Sequence, residues 1–314
     1  MENINWYPGH MKKTRELIAS NLKMVDVVIE VCDARIPDSS RNPILSEITA
    51  GKARILVLNK MDLADEDATG MWLDHYRRHE LNQIRTVIAL NSEKGEGVPG
   101  LLSKLQKIED ERSAARNENN PGIGRASENA APFRRRPLRI MIVGVPNSGK
   151  SSLINRLTGK KSTMTGDRPG VTKGKQWLTL QNGMQLLDTP GILWPKFEDP
   201  HVGLNLAFCG SIRDEVMDSA DLGLELLRVL MQNYSETLAK RYGVEITGET
   251  DETVCDDSHR SIGEDLRLME RIAKKRGLIL PGNRIDYERT GRMLLSEFRE
   301  GRIGRITLER PNPI

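Results

Sequence analysis

Eight residues, Gly144-Val145-Pro146-Asn147-Ser148-Gly149-Lys150-Ser151, have the types and spacing to grip a polyphosphate. They follow an apolar run, Leu138 to Val143, and lead into a helical pattern from Ser152 to Leu157. That is the strand-to-helix position a phosphate loop requires. Gly144 and Gly149 let the backbone curl until several N–H groups face one anion, and the helix dipole adds positive potential there. Lys150 is placed to reach β- and γ-phosphates, and the Ser151 hydroxyl to ligate Mg²⁺. Pro146, Asn147, Ser148, Gly149 and Ser152 complete the candidate phosphate site. A chance glycine-rich turn would seldom carry the whole pattern in this context.

A second group reads a base. Asn59-Lys60-Met61-Asp62 closes the apolar run Arg54 to Leu58. A carboxylate at Asp62 can accept from both N1–H and the exocyclic amine of guanine, whereas adenine would leave the charge unpaired. Asn59 is expected to brace the loop and Lys60 to lie along the base. Asn91 and Ser92, after the run Thr86 to Leu90, would support the base from a third loop. Asp188-Thr189-Pro190-Gly191 supplies a water-mediated Mg²⁺ contact through Asp188 and a γ-phosphate sensor in the Gly191 N–H. Thr172 is the candidate for a second hydroxyl on Mg²⁺. The residue after Gly191 is Ile192, where many nucleotide hydrolases carry a water-orienting glutamine, and isoleucine cannot do that work.

These residues fall where strands end. Val25–Val31, Arg54–Leu58 and Thr86–Leu90 read as buried strands, separated by helices near Ile44–Ala50 and Ala68–His79 and followed by one at Val98–Asp110. Alternating strands and helices imply an α/β fold: a doubly wound, mostly parallel sheet whose ligands bind beyond the strand C-termini. Residues 111–137 lack periodicity and read as a linker, closed by the basic cluster Arg134, Arg135, Arg136 and Arg139. That cluster is either a solubilising charge run or a phosphate contact to RNA. Residues 160–175 are polar and loop-like, and Gln176–Leu180 with Met184–Leu187 form a hairpin around Asn182-Gly183. Past Pro200 the pattern turns helical, at Leu222–Tyr242, Ser261–Lys275 and Tyr287–Glu300, with an acidic stretch at Glu245–His259. We therefore expect a nucleotide-binding domain over 1–200 and a smaller α-helical domain over 201–314. The second holds Lys274, Lys275, Arg276, Arg284, Arg289, Arg292, Arg299, Arg302 and Arg305, read as a phosphate-binding patch or as surface charge.

The loop order is rotated. GTP-binding chains commonly meet the phosphate loop first and the base-reading loop later, but here Asn59 precedes Gly144. A site made of loops along one sheet edge tolerates such a circular permutation, and residues 111–137 are where ancestral termini would have been joined. The Asp188 loop then runs almost directly into the helical part, so nucleotide state can act on that part without an intermediary.

Bulk properties set limits. Lys+Arg total 47 against 44 Asp+Glu, a net charge of +3, so any nucleic-acid surface is local. Aromatics make up 4%, too few for base stacking to be the main device. Cys32, Cys209 and Cys255 have no paired ligand spacing, which fits a reducing compartment. Neither a membrane-length apolar run nor a secretory leader pattern is evident, and a cytoplasmic location with no membrane partner is expected.

With Trp6-Tyr7-Pro8-Gly9-His10-Met11 at the start and Gly301-Arg302-Ile303-Gly304-Arg305-Ile306-Thr307-Leu308-Glu309-Arg310-Pro311 at the end, this motif set resembles the YlqF/RbgA ribosome-biogenesis GTPases over nearly the whole chain. The resemblance implies a circularly permuted P-loop GTPase acting late in assembly of the large ribosomal subunit, with a helical C-terminal RNA-binding domain. It implies that His10 takes over the missing glutamine's role when the particle positions it; the alternative is that His10 stabilises the N-terminal turn or contacts RNA. It implies Mg²⁺ as cofactor with GTP as substrate, and, from related potassium-dependent GTPases, that Asn147 helps ligate K⁺. The expected partners are the large-subunit precursor and its rRNA, and the expected state is a monomer. A competing reading is a GTP-gated RNA-binding scaffold with little turnover. An RNA-modification partner would need a catalytic constellation in the helical part, and the sequence offers none.

Overall fold

A computed structural model describes residues 16, 18–49, 51–79, 84–119, 136–159, 177–180, 182–187, 199–214, 217–246 and 262–311. Its centre is a six-stranded sheet in the order β3-β2-β1-β4-β6-β5. The strands are β1 (Val27–Asp33), β2 (Ala53–Asn59), β3 (Thr86–Leu90), β4 (Arg139–Val143), β5 (Trp177–Thr179) and β6 (Gln185–Leu187). All neighbours pair parallel except β5 with β6, the expected hairpin. Every residue of β1 is buried, as a strand covered on both faces must be.

Side-chain alternation sorts the covering helices. Val27, Ile29, Val31, Ile55 and Val57 face α3 (Val98–Asn119) and α4 (Lys150–Thr158). On the other face Cys32, Leu56 and Leu58 meet α2 (Glu66–His79), while Val28, Met141 and Val143 meet Leu45 of α1 (Pro43–Ile48) together with Ile18 and Leu22. Glu30, in the middle of β1, is buried against Arg54 of β2 at 2.5 Å. The chain winds outward from β1 to β3, then returns to β4, so the sheet's order reverses between β1 and β4. An open α/β sheet binds its ligand beyond the strand C-termini at that switch point.

Two segments depart from the sequence expectation. The 111–137 linker begins later, because α3 continues to Asn119. No apolar stripe marks that extension; Arg112 anchors it instead, donating to Asp26 at 2.5 Å and to the Arg136 carbonyl at 2.6 Å. The helix expected over Leu222–Tyr242 is two helices, α6 (Ser219–Asn233) and α7 (Ser235–Tyr242). Tyr234 leaves the helix, and its hydroxyl donates to the Thr307 carbonyl at 3.0 Å while accepting from the Thr307 N–H at 3.0 Å.

The remaining helices are α5 (Pro200–Phe208), α8 (Ile262–Arg276) and α9 (Tyr287–Arg299), with a short hairpin of β7 (Ile279–Leu280) and β8 (Arg284–Ile285) between the last two. Their shared core also takes in Ile36, just past β1, and Val145 of the phosphate loop. The helical part and the strand-end loops are therefore packed as one body of side chains. Among the described residues no helix is long and apolar enough to cross a membrane.

Candidate functional site

The phosphate loop bends where only glycine fits. Gly144 has φ 153°, and a Cβ on it would sit 2.3 Å from the Val31 carbonyl oxygen. Gly149 has φ 89°, and a Cβ there would lie 2.1 Å from Asn59 Nδ2. Asn147 takes the left-handed conformation at φ 58°, which asparagine tolerates better than most residues. The helix α4 starts at Lys150, so its N-terminal turn faces the loop with the positive end of the dipole. Lys150 is buried and folds back to donate to the Val145 carbonyl at 2.6 Å. The Ser148 hydroxyl donates to the same carbonyl at 3.0 Å.

Asn59 joins three loops. Its Nδ2 donates to the Ser148 carbonyl at 2.8 Å, and its Oδ1 accepts from the Ser92 N–H at 3.0 Å. The ends of β2, β3 and β4 thus converge on one fully buried amide. Asn91 shapes the third loop, its Oδ1 accepting from the N–H groups of Glu93 and Lys94. Arg156 of α4 holds the same loop through the carbonyls of Ser92 and Glu93. Lys60, itself left-handed at φ 60°, donates to the Asn147 carbonyl at 2.5 Å. The Asp62 carboxylate stays partly exposed, 3.8 Å from Lys94 Nζ, and so is open to a base.

Of the site residues expected from sequence, Asn59, Lys60, Asp62, Asn91, Ser92, Pro146, Asn147, Ser148, Gly149, Lys150, Ser151 and Ser152 are brought together by these three strand ends and the start of α4. His10, Thr172, Asp188, Gly191 and Ile192 lie outside the described residues. Ser151 opens α4 beside Lys150, where a hydroxyl fits a phosphate-bound Mg²⁺. The Asn147 Nδ2 donates to the Gly210 carbonyl at 2.6 Å, which leaves Oδ1 as the ligating atom it can offer a cation.

Some residues in contact with these loops carried no motif. Asp33 closes β1 and accepts from Lys60 Nζ at 2.9 Å and from Arg35 NH2 at 2.8 Å. Burial alone would raise its pKa, but the charges and hydrogen bonds of Arg35 and Lys60 outweigh burial and hold the carboxyl well below its ordinary value. An acid ending a mostly apolar strand, in line with Asn59 on the next strand, was the available signal.

The C-terminal segment wraps the loop that contains Asp62 from outside. Arg305 donates to the carbonyls of Ala64 at 2.8 Å and Met61 at 3.1 Å, and the Ile306 N–H donates to the Leu63 carbonyl at 2.9 Å. Glu309 accepts from the Asp38 N–H at 2.7 Å and from Asn205 Nδ2 at 3.0 Å. Two members of the expected basic patch are consequently structural: Arg305 in this strap, and Arg299, which donates to the carbonyls of Phe208 and Ala207 that end α5. Lys274, Arg284 and Arg289 are exposed. Cys32 and Cys209 are buried free thiols, and burial pushes Cys209 up to about 12, so it stays protonated and inert.

The comparisons fit this geometry. The model of a family described as 50S ribosome-binding GTPase matches residues 139–244. The "Ribosome biogenesis GTPase A" of Priestia megaterium is 40% identical, with 98% of this chain and 97% of that protein covered. The protein of the same name from Thermotoga maritima is 32% identical over 99% of this chain and 96% of its own length. "Mitochondrial ribosome-associated GTPase 1" of Bos taurus is 33% identical, covering 97% and 88%. Among solved structures, GNP-bound YlqF from T. maritima matches with a TM-score of 0.59 at 28% identity, covering 96% of this chain and all of that one.

Proposed function

Because this chain belongs to the YlqF/RbgA family of ribosome biogenesis GTPases, we propose that it couples GTP hydrolysis to maturation of the large ribosomal subunit. The chain is a GTPase of ribosome assembly. The observation that carries the site assignment is the Asn59 amide, which ties the ends of β2, β3 and β4 into one pocket despite their rotated order.

In this reading Asp62 selects guanine, Lys60 lies along the base, and Asn91 and Ser92 back it. Residues Pro146 to Ser152 wrap the phosphates, with Lys150 released from Val145 to bridge β- and γ-oxygens. Ser151, Thr172 and Asp188 would hold Mg²⁺, which neutralises charge on the phosphate oxygens during transfer. Asn147 Oδ1 would add K⁺ beside the phosphates, and the Gly191 N–H senses the γ-phosphate. His10 is assigned to the attacking water, since Ile192 cannot orient it. The helical domain, 201–314, contacts rRNA of the precursor through exposed cations such as Lys274, Arg284 and Arg289, by phosphate neutralisation. The protein works as a monomer in the cytoplasm.

Phosphate release from GTP tests this. Purified large-subunit particles should raise turnover at least tenfold, as expected when a positioned group completes a site. His10→Ala should abolish that rise while leaving GTP affinity intact, and KCl should outperform NaCl at equal ionic strength. A rate indifferent to particles would instead favour a GTP-gated scaffold.

A further inference from the structure

The nucleotide-facing side chains are held by a closed circuit of polar contacts that leaves the sheet, crosses the helical part and returns. It starts at Lys60, whose ammonium lies between the Asn147 carbonyl at 2.5 Å and Asp33 Oδ2 at 2.9 Å. Asp33 is buried, and its carboxylate is gripped on two edges by Arg35, through Nε at 2.9 Å and NH2 at 2.8 Å. Arg35 is 1% exposed, and its remaining nitrogen, NH1, donates at 3.3 Å to the carbonyls of Phe298 and Arg299 at the end of α9. Its guanidinium also lies 5.0 Å from the centre of the Phe298 ring. Arg299 then donates to the last carbonyls of α5, Phe208 at 2.9 Å and Ala207 at 2.8 Å. Just beyond α5, the Gly210 carbonyl accepts from Asn147 Nδ2 at 2.6 Å, and Ser211 Oγ donates to the Pro146 carbonyl at 2.8 Å. The circuit is thereby closed on the phosphate loop.

We infer that Asp33 and Arg35 are positioning residues of the guanine-nucleotide site, fixing Lys60 from one side and, through the ends of α9 and α5, Asn147 from the other. The inference rests on the guanine reading above. A core ion pair made only for stability would close on itself. This one spends one carboxylate oxygen on a second cation that reaches the phosphate loop, and one guanidinium nitrogen on helix carbonyls that carry the negative end of a dipole. Lys60 is a flexible chain with three donors, and without Asp33 its ammonium has no fixed anion. A preorganised lysine costs the ligand less ordering on binding.

The test is GDP titration by calorimetry on the full chain. Removing Asp33 alone would strand a buried arginine, so the neutral pair Asp33→Asn/Arg35→Met is used, with thermal unfolding to verify the fold. Losing one charge-assisted contact should weaken GDP binding by about 10- to 100-fold. In a Lys60→Met background the same pair should cost clearly less, only about a few-fold, because the lysine arm of the circuit is already gone and only the arm through α9, α5 and Asn147 remains. Arg35→Lys keeps a cation beside Asp33 but withdraws the fork from α9; a several-fold weakening is expected, which serves if the neutral pair does not fold. A folded pair variant with wild-type affinity, equal losses in both Lys60 backgrounds, or an unaffected Arg35→Lys would overturn the inference. A wild-type chain that fails to bind GDP refutes the guanine reading itself, a result distinct from any variant comparison.

Discussion

A carboxylate shut away from water persists as an anion only where cations surround it, and Asp33 has two, Arg35 and Lys60. Their effect exceeds that of burial, so the folded chain binds a proton on Asp33 less readily than the unfolded chain, whose ordinary value is 3.8. Stability from this group is therefore complete above the unfolded value and is lost as pH falls through the lower folded one. Urea midpoints should drop as pH falls below about 4 in the wild type, and drop measurably less in Asp33→Asn/Arg35→Met. An identical acid response in both would show that Asp33 is not the group responsible. Asn59 and Lys150 were legible in the sequence because each sits in a motif whose neighbours also had to be right. Asp33 was not, because a single acid after an apolar strand is commonplace and its second cation lies on another strand. Arg299 was misleading for the same reason: its sequence neighbours suggested a basic surface, whereas its contacts are two helix-end carbonyls and Asp214.

The helices α6 and α9 cross at glycine. A Cβ on Gly291 would come within 1.9 Å of the Ser219 carbonyl oxygen, and one on Gly223 within 2.4 Å of Gly291 Cα. Both obstacles are backbone, so neither can swing aside. Gly291→Ala should destabilise the chain by about 1–3 kcal/mol or more, as forced repacking does. Gly70, in α2, has nothing within 4 Å of its would-be Cβ. Gly70→Ala should stabilise by about 0.5–1 kcal/mol through backbone entropy alone. Urea unfolding of both variants checks the pair, and equal shifts of one sign would contradict the crossing geometry. The sheet and most helices were readable because apolar spacing marks them. The extension of α3 to Asn119 was not, since the Arg112–Asp26 ion pair anchors it. Nor was the break at Tyr234, which a long-range bond to Thr307 imposes on an unbroken helical pattern.

The chain's two ends of interest meet in space. Residues 301–310 close over the loop that contains Asp62, and the phosphate loop contributes Val145 to the core of the helical part. The permutation was visible from motif order, but the strap was not, because its contacts are mostly to backbone groups that any sequence possesses. One measurement bears most directly on the claim that these strand ends form a guanine site. Xanthine replaces guanine's exocyclic amine with a carbonyl, so an asparagine at position 62 would match it with one acceptor and one donor, while guanine would face a mismatched amide. Calorimetric titration of wild type and Asp62→Asn with GDP, ADP and xanthosine diphosphate should show GDP preferred by wild type and the xanthine nucleotide preferred by the variant. An Asp62→Asn chain that still prefers GDP, or a wild type that binds ADP as tightly as GDP, would contradict the account.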